Sequence, residues 1–257
     1  MSDCARAVLD ILHSLRSIHG DFSDRPVPDD AVRTITAAAV RAANAGARQC
    51  YSIITVTGME RVKSACCYPA PVALVFLSDH TRFQDEALRR GYGLRPYSLH
   101  DLITTAIDAS VAGQNAVIAA KALGIDSLIT NSILDRVEMN ELIETLGIPE
   151  RGCMPLFAVL LGYPKIEPDH RQQRYDGPGL LHAEKYRRMT EDERLAMASQ
   201  YDEEGMGLAF AKWREQGYQS YFDWYFNAWD IHPGAKNHKE RDPDWSEDYA
   251  RRAGFIN

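Results

Sequence analysis

The chain is poor in the features that would place it in several large functional classes. Its 257 residues carry a formal net charge of −7, so the clustered Lys and Arg needed to neutralise nucleic-acid phosphates are lacking. No run approaches the roughly eighteen apolar residues that suggest a membrane-spanning helix. The first residues, with Asp3 and Asp10, lack the basic-then-apolar layout of a secretory signal, and the expected compartment is the cytoplasm. Five cysteines (Cys4, Cys50, Cys66, Cys67 and Cys153) form no C-x-x-C pair. They read as reduced, mostly buried thiols, with too few ligands for an iron–sulfur cluster. His232 and His238 are too isolated for a metal site. No Ser-His-Asp set can be assembled from the remaining histidines.

What is present fits one soluble domain with an appendage. Hydrophobic residues make up 45% of the chain and charged residues 25%, and this length supports a full core without disulfide or metal staples. Val8, Ile11, Leu12 and Leu15 share one face of a helix expected over residues 3–19. A turn at 24–30 launches a second helix, with Val32, Ile35, Ala39 and Val40 at helical spacing. Residues 50–57, 71–78, 125–131 and 154–161 are apolar runs of strand length. A short helix is expected around 137–146. The longest helix, Leu99 to Leu123, is rich in alanine and apolar on nearly every side, which predicts a buried spine. The resulting fold class is α+β, a sandwich of helices over a mixed sheet.

Composition shifts after Tyr163-Pro164. Thr190-Glu191-Asp192-Glu193 reads as a capping box, and all four tryptophans lie in the last fifty residues. We therefore divide the chain at 1–189 and 190–257, the second part being an aromatic extension packed on the main body or on a second copy.

Two segments carry chemistry. Leu15-Arg16-Ser17-Ile18-His19 offers a guanidinium and a hydroxyl suited to a phosphate, although an Arg-Ser pair at a helix end also serves as an ordinary cap. Ala42-Ala43-Asn44-Ala45-Gly46-Ala47-Arg48-Gln49 is a small-residue loop leading into a strand. Its backbone can approach a flat ligand, and Gln49 can address a ring edge or simply cap the strand.

These pieces, in order, resemble the nitroreductase-like FMN flavoproteins. The first segment with Phe22 and Pro26-Val27-Pro28 is similar to the family's Arg-Arg-Ser-x-Arg-x-Phe and Pro-Val-Pro opening. The loop is similar to its Ala-Pro-Ser-x-Gly-Asn-x-Gln signature, and Ala70-Pro71-Val72 to its strand opening. Gly113-Gln114-Asn115 through Ala122-Leu123-Gly124, then Leu146 to Glu150 and Gly162 to Pro164, continue the likeness across residues 15–175. Departures are Leu15 for an Arg, His19 with an extra residue before Phe22, Ala43 for Pro, Asn44 for Ser, and Ala47 for Asn.

The resemblance implies a three-layer sandwich and an FMN cofactor bound between the subunits of a homodimer. It implies Arg16, Ser17 and His19 at the phosphate and ribityl end, joined by Arg174 or Arg171. It implies Asn44, Gln49 and Gln114 at the cofactor, with Ile129-Thr130-Asn131 near the reactive edge of the flavin. The implied activity passes hydride from NAD(P)H to an electron-poor acceptor such as a nitro-aromatic or quinone, without a side-chain nucleophile. The alternatives are reductive dehalogenation, dehydrogenation of a specific metabolite, or flavin binding without turnover.

Overall fold

The computed structural model describes residues 1–134, 136–167, 172–208, 211–229 and 245–256, without the side chains of 136–138 and 245. The chain forms two compact units, Met1–Glu167 with Asp242–Asn257, and Pro168–Arg241. The sequence division at 189/190 thus differs from this one, which falls near Tyr163-Pro164 where composition shifts.

The first unit contains helices α1 (Asp3–Ser14), α2 (Asp29–Ala39), α3 (Met59–Cys66), α4 (Thr81–Arg89), α5 (Leu99–Ala122) and α6 (Arg136–Leu146). Its strands are β1 (Tyr51–Thr57), β2 (Val72–Asp79), β3 (Asp126–Thr130) and β4 (Cys153–Gly162). They form one sheet in the order β1-β2-β4-β3. All three strand pairings are antiparallel, and the parallel component is an isolated bridge between Ser17 and Ser127.

Every residue of β2 is buried, because the strand is central and covered on both faces. Ala73, Val75 and Leu77 point to one layer with Val62 and Cys66 of α3 and Leu142 of α6. Val72, Leu74 and Phe76 point to the other, with Ile35 and Ala39 of α2 and Ala109, Ala112, Ala116 and Ala120 of α5. This alternation is the period of two dictated by the strand pleat. Each large apolar side chain fully buried here contributes on the order of 1.5–3 kcal/mol.

Alanines let α5 approach closely. A Cβ on Gly113 would lie 2.7 Å from the Phe157 ring, which itself stacks on Phe76 with centroids 4.8 Å apart. The β2–β4 register shifts between Phe76 and Leu77, opposite Phe157 and Pro155. A proline is tolerated there because a bulge interrupts the ladder it cannot join.

Two local expectations are revised. The first helix stops at Ser14, and Leu15 is already extended, because Ile18 N–H donates to Ser127 O and draws the following residues onto the sheet edge. Short helices α3 and α4 occupy connections for which no element is expected from the sequence. α5 is buried along one side only: Leu99, Ile103, Ile107 and Val111, four residues apart, are 40–59% exposed. α5 is long and apolar enough to cross a membrane by length and composition, but its buried side packs against β2, β3 and β4 of the sheet.

The terminal helix α7 of this unit (Trp245–Arg252) brings Tyr249, Ala250, Ala253 and Phe255 onto Met139 and Met154. In the second unit, the expected capping box is present: the Thr190 side chain accepts from Glu193 N–H and Glu193 returns to Thr190 N–H, starting a helix at Glu191–Tyr201. That unit's core gathers Tyr221, Trp224, Ala211 and Ala228, with Tyr201, Trp213 and Tyr218 against them.

Candidate functional site

The Leu15–His19 segment lies along the free edge of β3. Arg16 Nη2 donates to Asp126 Oδ2 at 2.6 Å and Nε donates to the same oxygen at 3.2 Å. Lys121 Nζ, from the last turn of α5, reaches Asp126 Oδ1 at 2.7 Å. Burial raises the Asp126 pKa, but hydrogen bonds from Arg16 and Lys121 outweigh it and hold the carboxyl below its ordinary value. The Asp126 hydrogen bond correspondingly raises Arg16.

Arg16 also donates to Glu167 at 2.7 Å, but the Glu167 side chain is 77% exposed whereas that of Asp126 is 7% exposed. The Asp126 contact is therefore the anchor, and the Glu167 contact is the one a stronger anion can replace. Ser17 and His19 are exposed; neither side chain hydrogen-bonds within the described residues, and the His19 ring rests edge-on near Tyr68 at 6.4 Å. Further along β3, Ile129 is 45% exposed although it sits within a strand, and Asn131 is exposed too. The Thr130 hydroxyl donates to Ser132 Oγ at 3.0 Å and accepts from Ser132 N–H, closing a turn.

The small-residue loop precedes β1, at the opposite edge of the sheet. Gly46, Ala47 and Gln49 have φ of 62°, 56° and 49°, and for Ala and Gln this left-handed region is costly. The surroundings impose it. Ala45 N–H donates to both oxygens of Asp108, at 3.0 and 3.1 Å. Asn44 Oδ1 accepts from Gln49 N–H at 3.3 Å, and Gln49 Nε2 donates to Val40 O at 3.2 Å. The Arg82 guanidinium donates to the carbonyls of Gln49 and Tyr51. The side chains of Asn44 and Gln49 thus shape the loop. The Arg48 side chain makes no hydrogen bond or ion pair within the described residues.

These two corners are far apart. Ser127 pairs with Leu161, Leu161 with Val72, and Val72 with Thr57. Three strand intervals therefore separate the edges, and six further residues along β1 lead back to Tyr51. At about 4.8 Å per interval and 3.3 Å per residue, the diagonal is roughly 24 Å. The helix gives a second ruler: Asp108 touches the loop and Lys121 touches Asp126, about 20 Å apart at 1.5 Å rise per residue. One chain does not bring the two sequence-identified halves together. Gln114 is exposed on α5 between them.

Arg174 belongs to the second unit, where its guanidinium donates to Gln172 O and Gln173 O. Arg171 lies outside the described residues, as do His232 and His238. Among the described residues no cluster of His, Cys, Asp and Glu could hold a metal.

Sequence reasoning missed Asp108, Arg82, Lys121 and Asp126, which position both corners. Asp108 was visible as a lone carboxylate within the apolar stretch of the long helix. It also missed buried His80, whose Nε2 lies 2.9 Å from Thr105 Oγ1, in a cage with Tyr97 and Phe255. Burial lowers the His80 pKa.

A model described as the Nitroreductase family matches residues 14–163. The chain is 29% identical over 209 residues to the oxygen-insensitive NADPH nitroreductase of Salmonella typhimurium, covering 76% of this chain and 80% of that one. It is 27% identical over 192 residues to an FMN reductase (NADPH) of Bacillus subtilis, covering 71% and 75%. Among solved structures, the NADPH:FMN oxidoreductase from Vibrio harveyi, complexed with NAD+, aligns over 97% of this chain and 99% of that one, with a TM-score of 0.72 at 20% identity. The likeness in fold thus extends through the aromatic extension that the sequence motifs did not reach.

Proposed function

The chain belongs to the nitroreductase family, and from that premise we propose that it is an FMN-dependent oxidoreductase. It takes hydride from NAD(P)H and delivers it to an electron-poor acceptor such as a nitro-aromatic or a quinone. Relatives with NADPH-linked nitroreductase and FMN reductase names support the class of reaction.

The observation that carries the reading is the alignment of Arg16-Ser17-Ile18-His19 along β3, which gathers two sequence-distant segments of the family's cofactor site. The donor set fits a phosphate monoester. Ser17 and His19 hold unspent, exposed hydrogen-bonding groups, and Arg16 is oriented by buried Asp126 while its second contact is solvent-exposed and exchangeable. Bound FMN supplies the two-electron chemistry, and the protein's own work is positioning and electrostatics. In this reading Arg16, Ser17 and His19 grip the phosphate and ribityl chain. Exposed Ile129 would lie against the ring, and backbone groups around Thr130 and Asn131 would face its reactive edge, placed to stabilise negative charge there.

The separation of the two corners supports a homodimer in which the Asn44–Gln49 loop of one copy completes the site begun at Arg16 of the other. The bare apolar stripe of α5 supports the same assembly, since four large side chains in a row on one soluble helix call for a covering surface. We place this dimer in the cytoplasm, with NAD(P)H and the acceptor as its small-molecule partners. Arg174 and Gln114 remain proposed cofactor contacts.

Purified protein should be yellow, lose its flavin colour with NADPH or NADH, and regain it with a nitro-aromatic. Colourless protein whose addition leaves FMN fluorescence unquenched would overturn the reading.

A further inference from the structure

We propose that Asp108 is a positioning residue for the cofactor-facing loop, holding the Asn44–Gln49 backbone in its left-handed conformation; this rests on the flavin reading above. Asp108 is 5% exposed, and no cation pairs with it among the described residues. Its two oxygens instead converge on one backbone donor, Ala45 N–H, at 3.0 and 3.1 Å. That donor opens the segment in which Gly46, Ala47 and Gln49 all take positive φ.

Two non-glycine residues in this region persist only where neighbouring bonds over-determine the backbone. Several of those bonds come from the loop itself or from residues leading into it: Asn44 to Gln49 N–H, and Gln49 to Val40 O. They fix the loop's shape but not its place. Arg82 holds the exit of the loop through the carbonyls of Gln49 and Tyr51, and Asp108 holds its entrance. Among the described residues, Asp108 supplies the hydrogen bonds that tie the loop to α5. The same helix exposes Ile107 and Val111, so the loop is placed relative to the face on which a second copy is proposed to sit. A carboxylate with two equivalent oxygens tolerates small lateral shifts of the N–H without losing the bond, which suits a loop that settles on a ligand.

The test measures FMN binding to apoprotein by fluorescence quenching in Asp108→Ala, Ala45→Pro and Asp108→Asn. Ala45 is the first residue of its turn and Asn44 is extended, so proline removes the N–H at a position where its fixed φ is tolerated. Asp108→Ala and Ala45→Pro should each weaken binding roughly tenfold, and the double variant should be no weaker than either, since both remove the same bond. Asp108→Asn keeps an acceptor for Ala45 N–H and should bind within about threefold of the wild type. Wild-type affinity in Asp108→Ala, additive losses in the double variant, or an Asn variant as weak as Ala would each overturn the assignment. If Asp108→Ala fails to fold, Ala45→Pro against Asp108→Asn decides by the same criteria. A wild-type protein that binds no FMN overturns the flavin reading, and this inference with it.

Discussion

Arg16 and Asp126, 110 residues apart in the chain, meet at 2.6 Å, and Lys121 meets the same carboxylate from the end of the longest helix. One buried acid thereby fixes the first extended segment, the edge strand and α5 at a single corner of the molecule.

Removing Arg16 should therefore have two effects. Arg16→Ala leaves Asp126 with Lys121 alone, which should cost about 1–3 kcal/mol of stability, read by urea denaturation. It should also release FMN, read as flavin content after purification. Arg16→Lys keeps the charge but loses the two-nitrogen fork, and should retain stability better than it retains flavin. Normal flavin content in Arg16→Ala would refute the phosphate assignment.

Stability should fall as pH drops below the ordinary histidine range. Burial holds the folded-state pKa of His80 below its usual 6.5, so between those two values the unfolded chain binds the proton and the folded one does not. The contribution is complete above the unfolded value and is lost as pH falls toward the folded one. In His80→Gln this part of the pH dependence of Tm should vanish; an unchanged profile would show that other groups carry it.

Gly113→Ala should destabilise the fold by about 1–3 kcal/mol. The added Cβ would meet the Phe157 ring at 2.7 Å, and stacking on Phe76 leaves that ring little room to turn. A chemical-denaturation midpoint equal to that of the wild type would show that the helix can move off the sheet.

Ile107→Asp should dissociate the proposed dimer and lower flavin content together. Ile107 is 59% exposed at the centre of the apolar stripe, so the change does not disturb the chain's own core. Light scattering coupled to size exclusion reports the mass, and a dimer unchanged in Ile107→Asp would remove α5 from the interface.

The fold was legible where periodicity is strong. The four strands and α2, α5 and α6 declare themselves through alternation, helical spacing or an alanine-rich run. What failed depends on contacts distant in sequence. α1 ends at Ser14 because Ile18 pairs with Ser127, information held more than a hundred residues downstream. Helical apolarity gave the existence of α5 but not its one-sided burial, which depends on how many layers surround it. The candidate site stands out in the sequence as two motifs, Arg16-Ser17 and Asn44 to Gln49, through their likeness to the family's signatures and not through residue chemistry alone, since an Arg-Ser pair or a strand-edge amide also serves as an ordinary cap. Their separation across the sheet was not, since motif order in a chain says nothing of which copy supplies which half. Of the acids that brace them, Asp126 reads in sequence as an ordinary strand residue, and Asp108 shows only as a charge in an otherwise apolar stretch of helix, with nothing to say what it holds.

The most direct measurement is the flavin stoichiometry of a mixed dimer. Arg16→Ala disables one corner, and Asn44→Ala with Gln49→Ala disables the other; each homodimer should bind no FMN. A heterodimer of the two variants contains one site with both corners intact if each site draws on both copies, and should bind a single flavin. A heterodimer as colourless as its parents would contradict a site shared between subunits.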